Sequence, residues 1–215
     1  YNEWFVRGRF PGHQVVKKKD GVPEGWEKLP SDQVMDIGSG GTPRTHKSEY
    51  WDGDIPFFTP KDVTDSIYSW ETERTVTEEG VKNCNTSIYP KDTVYITARG
   101  TVGNLCMGQR PMAMNQSCFA LQAKPPLSQY YLLFALKEAV PHFLNQSSGS
   151  VFDAIVRVAF TRGKVMVPTK EVVDRFSELV TPMVQQVDVL SQQNRQLTRA
   201  RDLLLPRLMS GRMKA

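Results

Sequence analysis

Between Phe176 and Leu208 apolar residues recur at helical spacing, and no other stretch narrows the possible folds of this chain as much. One column reads Met183, Leu190, Leu197, Leu204, every seventh residue. A second column, three residues earlier, reads Val180, Val187, Asn194, Arg201, and Leu208 closes it. Two such columns form the seam of a coiled coil. From Met183 to Leu205 the helix would extend about 35 Å at the usual rise per residue. An amphipathic helix of this length either lies on its own domain or pairs with another helix. The strict seven-residue spacing favours pairing. So does Asn194, because a polar residue in a core column typically fixes register and oligomer state at a cost in stability. Arg201 in the same column calls for an acceptor on the partner. The expected pairing residues are therefore Val180, Met183, Val187, Leu190, Asn194, Leu197, Arg201 and Leu204. The end of the run is basic: Arg195, Arg199, Arg201, Arg207, Arg212 and Lys214 face only Asp202. That face is either solvated or a dock for a protein or for phosphates. Pro182 interrupts the pattern, as a kink or as the first residue of a helix capped by Thr181.

A chain of 215 residues suggests one domain plus this appendage. Residues 1–30 read as a junction: Arg7-Gly8-Arg9-Phe10-Pro11-Gly12 breaks any helix, and Lys17-Lys18-Lys19-Asp20-Gly21 is a charged turn. Residues 31–168 read as the globular domain. Its signals are mostly strands and turns: Ile55 to Pro60, Asp92 to Ala98, Ser117 to Leu121 and Val165 to Pro168. Ser128 to Leu144 fits a helix with Ser128 as N-cap. Residues 169–215 are the helical region. The expected fold is thus α+β, a mostly-β body with helices followed by a long coiled-coil-type helix.

Chemical motifs are sparse. Gly38-Ser39-Gly40-Gly41-Thr42-Pro43 is glycine-rich but is neither a dinucleotide nor a P-loop fingerprint. There is no nucleophile elbow, and the carboxylates are scattered. Asp52-Gly53-Asp54 resembles the start of a metal loop without its later ligands. Cys84, Cys106 and Cys118 have no CxxC spacing and read as free thiols of a cytoplasmic protein. A thiol enzyme would need a pocket around Cys106 or Cys118. The net charge of +4 permits a nucleic-acid partner without demanding one. No apolar run is long enough to predict a membrane-spanning helix.

Three loops instead offer recognition groups. In Gly40 to Lys47, glycines allow close backbone approach, and Thr42, Arg44 and Lys47 follow at once, as a phosphate contact requires. In Thr97 to Gly103 a strand delivers Arg99 to a rim, followed by Gly100 and Thr101; arginine is the commonest bidentate reader of guanine. Met114 to Ser117 presents the amides of Asn115 and Gln116, suited to adenine. Lys61-Asp62 is a fourth candidate. Each, taken alone, also fits an ordinary turn.

In their order, several segments resemble the specificity subunit of Type I restriction–modification systems. They are Gly40-Gly41-Thr42-Pro43, Tyr50-Trp51-Asp52-Gly53-Asp54-Ile55-Pro56-Phe57, Lys61-Asp62-Val63, Ala98-Arg99-Gly100-Thr101-Val102-Gly103, Asn115-Gln116-Ser117-Cys118 and Leu204-Leu205-Pro206-Arg207-Leu208-Met209-Ser210-Gly211. The resemblance covers nearly the whole chain. It implies a target-recognition domain that reads one half of a split double-stranded DNA site, and a helical spacer that recruits methyltransferase and restriction subunits. It implies further that this chain holds one such domain and one spacer, as the C-terminal half of a subunit or as a half-subunit. The second helix would come from the other half or from a homodimer. Contacts to DNA would come from Gly41, Thr42, Arg44, Lys47, Lys61, Arg99, Gly100, Thr101, Asn115 and Gln116, with Lys47 and Lys61 on phosphates and Arg99 and Gln116 on bases. The methyltransferase motifs of such systems are absent, so catalysis, with S-adenosylmethionine, ATP and Mg, would belong to partner subunits, and this chain would carry no cofactor. A coiled-coil adaptor for proteins alone is the remaining alternative.

Overall fold

The computed structural model describes residues 1–146 and 163–210. Its centre is a five-stranded sheet built from β4 (Met35–Ser39), β6 (Tyr68–Ser69), β8 (Val94–Thr97), β9 (Leu105–Gly108) and β11 (Cys118–Ala123), in the spatial order β4-β11-β8-β9-β6. All pairings are antiparallel except β6 with β9. β8 is buried along its whole length, because Val94, Tyr95 and Ile96 meet apolar layers on both faces. A smaller sheet orders β10 (Ala113–Met114), β5 (Trp51–Phe58) and β7 (Thr75–Val76) with β5 in the middle. Trp51 and Ile55 both oppose Val76, so Asp52-Gly53-Asp54 is looped out of the ladder between them, with Asp52 at φ 59°.

The long apolar helix lies across the first sheet. After the short helices α1 (Ser31–Val34) and α2 (Glu78–Lys82), α3 (Gln129–Gln146) begins at Ser128, whose hydroxyl accepts the Tyr131 amide at 3.2 Å. Its own Tyr131, Leu132 and Leu136 are fully buried. The expected last strand is present as β12 (Lys164–Val167), but it pairs with β3 (Glu27–Pro30), not with the central sheet.

Residues 1–30, read from the sequence as a junction, pack closely against the body. Phe5, Phe10 and Trp26 are buried in the main core, and Tyr1 and Phe5 set their rings 5.5 and 4.8 Å from Tyr131. Helix-breaking Gly and Pro mark turns, but here the aromatic side chains between them supply enough apolar area to dock the segment. A short hairpin, β1 (Lys18–Lys19) with β2 (Val22–Pro23), carries the lysine run.

The C-terminal helix, α4 (Lys170–Met209), is continuous through both Pro182 and Pro206. Thr181 is therefore not a cap. Proline removes one backbone hydrogen bond. On either side of Pro182, however, Phe176, Val180 and Val184 are buried against the body, which holds the helical path. Asp188 extends this stripe; Lys91 lies 3.6 Å from its Oδ2, to which Gln109 donates at 3.5 Å.

Candidate nucleic-acid interface

The loops that the sequence singles out emerge at one end of the two sheets and are tied to one another. The Gly41 amide donates to the Met114 carbonyl at 3.2 Å, and the Thr42 hydroxyl donates to Gln116 Oε1. The Ala98 amide donates to the Ser117 carbonyl at 2.7 Å. All three predicted turns thus form one unit. Gly40 makes this possible: a Cβ there would stand 2.0 Å from the Asn115 carbonyl oxygen. Asn115 shapes its own turn by accepting the Ser117 amide at 3.0 Å, which leaves Gln116 exposed at the tip.

The Arg99 loop is held from beneath by Thr97. Its hydroxyl donates to the Thr101 carbonyl and accepts the Asn104 amide at 3.0 Å, while Gly100 takes φ 78° at the crest. Arg99 is exposed and has no ion pair among the described residues. Lys61 is placed by a short 3-10 turn capped reciprocally by Thr59 and Asp62, and its Nζ lies 3.2 Å from Glu73.

Between these loops lies a cleft of about 470 Å³. Thr42, Lys61, Arg99, Gly100 and Asn115 line it, over a floor that includes Trp51, Phe57 and Pro60. A second, more polar hollow of about 490 Å³ shares Thr42 and adds Gly41, Arg44 and Gln116. Two predicted residues lie outside both. Thr101 is at the foot of its loop, with its carbonyl taken by Thr97. Lys47 donates to the Tyr50 hydroxyl at 3.1 Å and pairs with Glu49 at 3.4 Å; these contacts, the tyrosine first, raise its pKa.

Arg74 is a cleft residue that sequence reading missed. Its guanidinium carbon sits 3.4 Å from the centroid of Trp51. The only local signal was the β-prone Thr75-Val76 that follows it, which marks a strand but not where its neighbour points.

The helix residues divide. Val180 is buried against its own body, whereas Met183, Val187, Leu190, Leu197 and Leu204 are 58, 37, 49, 67 and 41% exposed. Asn194 is exposed in the same column. Arg201 pairs with Asp202 of its own helix at 2.7 Å. Asp202 is not the sole acid at the basic end: Glu71, from the body, pairs with both Arg195 and Arg199, the latter at 2.6 Å. Gly211, Arg212 and Lys214 lie outside the described residues.

A thiol nucleophile finds no support. Cys106 and Cys118 are buried, and desolvation pushes Cys106 up to about 12 and Cys118 higher still, away from the reactive thiolate. No described helix is long and apolar enough to cross a membrane.

Residues 23–199 match the family model described as the Type I restriction modification DNA specificity domain. Over 180 residues the chain is 30% identical to the Type I restriction enzyme MjaIX specificity subunit of Methanocaldococcus jannaschii, covering 79% of this chain and 42% of that one. It is 26% identical over 193 residues to the HindI specificity subunit of Haemophilus influenzae, covering 88% and 42%. The chain therefore spans less than half the length of these relatives. The fold is shared with the S subunit of a Type I restriction–modification system from M. genitalium, at a TM-score of 0.63 and 17% identity over 85% of this chain and 45% of that one.

Proposed function

This chain belongs to the Type I restriction modification DNA specificity domain family, and from that premise we propose that its body reads one half of a split DNA site while α4 sets the distance to the other half. One observation carries the reading. Three turns from distant parts of the sequence meet at a single concavity that is bounded by Lys61, Arg74 and Arg99 and set against Glu73. Phosphate contacts position such a body, and arginine and amide groups within the concavity select bases. The exposed stripe of α4 pairs with a second helix, from the other half of a longer subunit or from a second copy. Methyltransferase and restriction subunits dock on the assembled spacer. These partners hold S-adenosylmethionine, ATP and Mg and carry out the chemistry, and the assembly works in the cytoplasm.

The test is an Arg99→Ala substitution in the intact system, read by competition between cognate and scrambled duplexes. A loss of roughly 1–3 kcal/mol confined to the cognate duplex is expected for a base contact. Equal weakening on both duplexes makes Arg99 a phosphate contact. No difference between cognate and scrambled DNA for the wild type would end the reading.

A further inference from the structure

We propose that Arg74 is a specificity-determining residue that reads a G·C base pair in the major groove; this deepens, and rests on, the DNA-reading function above. The cations around the cleft are not equivalent. Lys61 is tied to Glu73, and Lys47 is turned to Tyr50 and Glu49 outside the cleft. Arg99 rides on a glycine crest. Arg74 alone is fixed at both ends. Its carbonyl accepts the Phe57 amide at 3.0 Å and the Thr72 hydroxyl at 2.6 Å. Its guanidinium rests on Trp51.

Trp51 is itself a rigid support. It is 5% exposed, donates its indole N–H to the Arg44 carbonyl at 3.2 Å, and meets Phe57 edge-on at 5.3 Å. A guanidinium stacked by its face keeps its N–H groups along the rim. No described residue accepts from that rim, and Arg74 is exposed. The donor fork is therefore both preorganised and free, so little side-chain entropy is lost when an acceptor arrives. Guanine O6 and N7 present the matching pair of acceptors. A phosphate also matches a fork. But the adjoining floor is Trp51, Phe57 and Pro60, an apolar setting that suits a base edge better than a hydrated phosphate.

Methylated sites would be mapped in a host carrying the intact system, with this chain in its full subunit, for the wild type, Arg74→Lys and Arg74→Gln. Lysine keeps the charge and loses the planar fork. Both variants are expected to fold and to melt slightly below the wild type, since an exposed stacking contact on Trp51 is all that they lose. Both should lose discrimination roughly tenfold or more at one G·C position and keep the rest of the consensus. An unchanged consensus in both variants overturns the proposal. So does uniform weakening on all sequences by Gln that Lys restores, which marks a phosphate contact. So does loss of every position by a variant that melts normally. Exchanging this whole chain for that of a relative provides the separate control: if the wild-type half-site stays the same, the DNA-reading function itself falls, whatever Arg74 does.

Discussion

Asp62 accepts three hydrogen bonds at 2.7 Å, from the Thr59 amide and hydroxyl and from the Glu73 amide. It is 8% exposed, so these donors have little access to water if the carboxylate is removed. Asp62→Ala should cost about 2–3 kcal/mol in chemical denaturation. It should also weaken DNA binding, because Lys61 and Glu73 are placed by this residue. Cys106 supplies a pH prediction. Its thiol rises from 9.0 to about 12 on folding, because burial disfavours the thiolate. Between those values the unfolded chain releases the proton while the folded chain keeps it. Stability is therefore whole below about pH 9 and falls as pH climbs toward 12. The buried hydroxyls of Tyr95 and Tyr131 are shifted up by burial too and act with the same sign. Urea midpoints across the alkaline range should show the decline, and Cys106→Ala should make it shallower. At this scale the sequence was legible in part. Arg99, Asn115 and Thr42 could be singled out because glycines and turn residues flank them. Arg74 could not, because what qualifies it is an indole 23 positions earlier.

Helix α4 has two halves with different physics, although the seven-residue spacing continues through both. In the first half Val173, Phe176, Val180 and Val184 face the body. Phe176, 2% exposed, sits against the rings of Tyr1, Phe5, Tyr131 and Phe134, so Phe176→Ala should cost about 3–5 kcal/mol in the isolated chain. In the second half the apolar column is exposed. Leu197→Ala should change the stability of the isolated chain by no more than about 0.5 kcal/mol, yet weaken assembly with the second helix, as sedimentation of the assembled complex would report. The helix is also fastened, at Arg195 and Arg199, to the segment that carries Arg74. Arg195 and Arg199 converge on Glu71, and Arg195 lies 5.5 Å from the Trp70 ring. Two residues further on, Glu73 pairs with Lys61 at the cleft. Periodicity announced the helix without difficulty. It could not tell a column facing the chain's own body from one left at the surface, because the same residue types recur in both.

Across the whole molecule, charge is gathered by folding more than by composition. A net +4 is unremarkable for this length, but Lys61, Arg74 and Arg99 meet at one cleft, with Arg44 in the adjoining hollow. If about four phosphates are neutralised, affinity should fall with salt at a log–log slope of about −3.6. That corresponds to a loss of roughly a hundredfold between 50 and 200 mM salt, measurable by fluorescence anisotropy on a scrambled duplex. A slope near zero would mean that the cleft does not meet the DNA backbone.

The sequence alone determined the α+β class, the strands at Val94 and Cys118, the helix after Ser128 and the long C-terminal helix, because each is written in local periodicity and capping chemistry. Tertiary structure decided the rest. It pairs β3 with β12, far apart in sequence, and docks the N-terminal aromatics into the main core. It buries Val180 and leaves Val187 at the surface, and it lays Arg74 on Trp51. Those outcomes depend on which distant surfaces meet, and local spacing holds no record of the meeting.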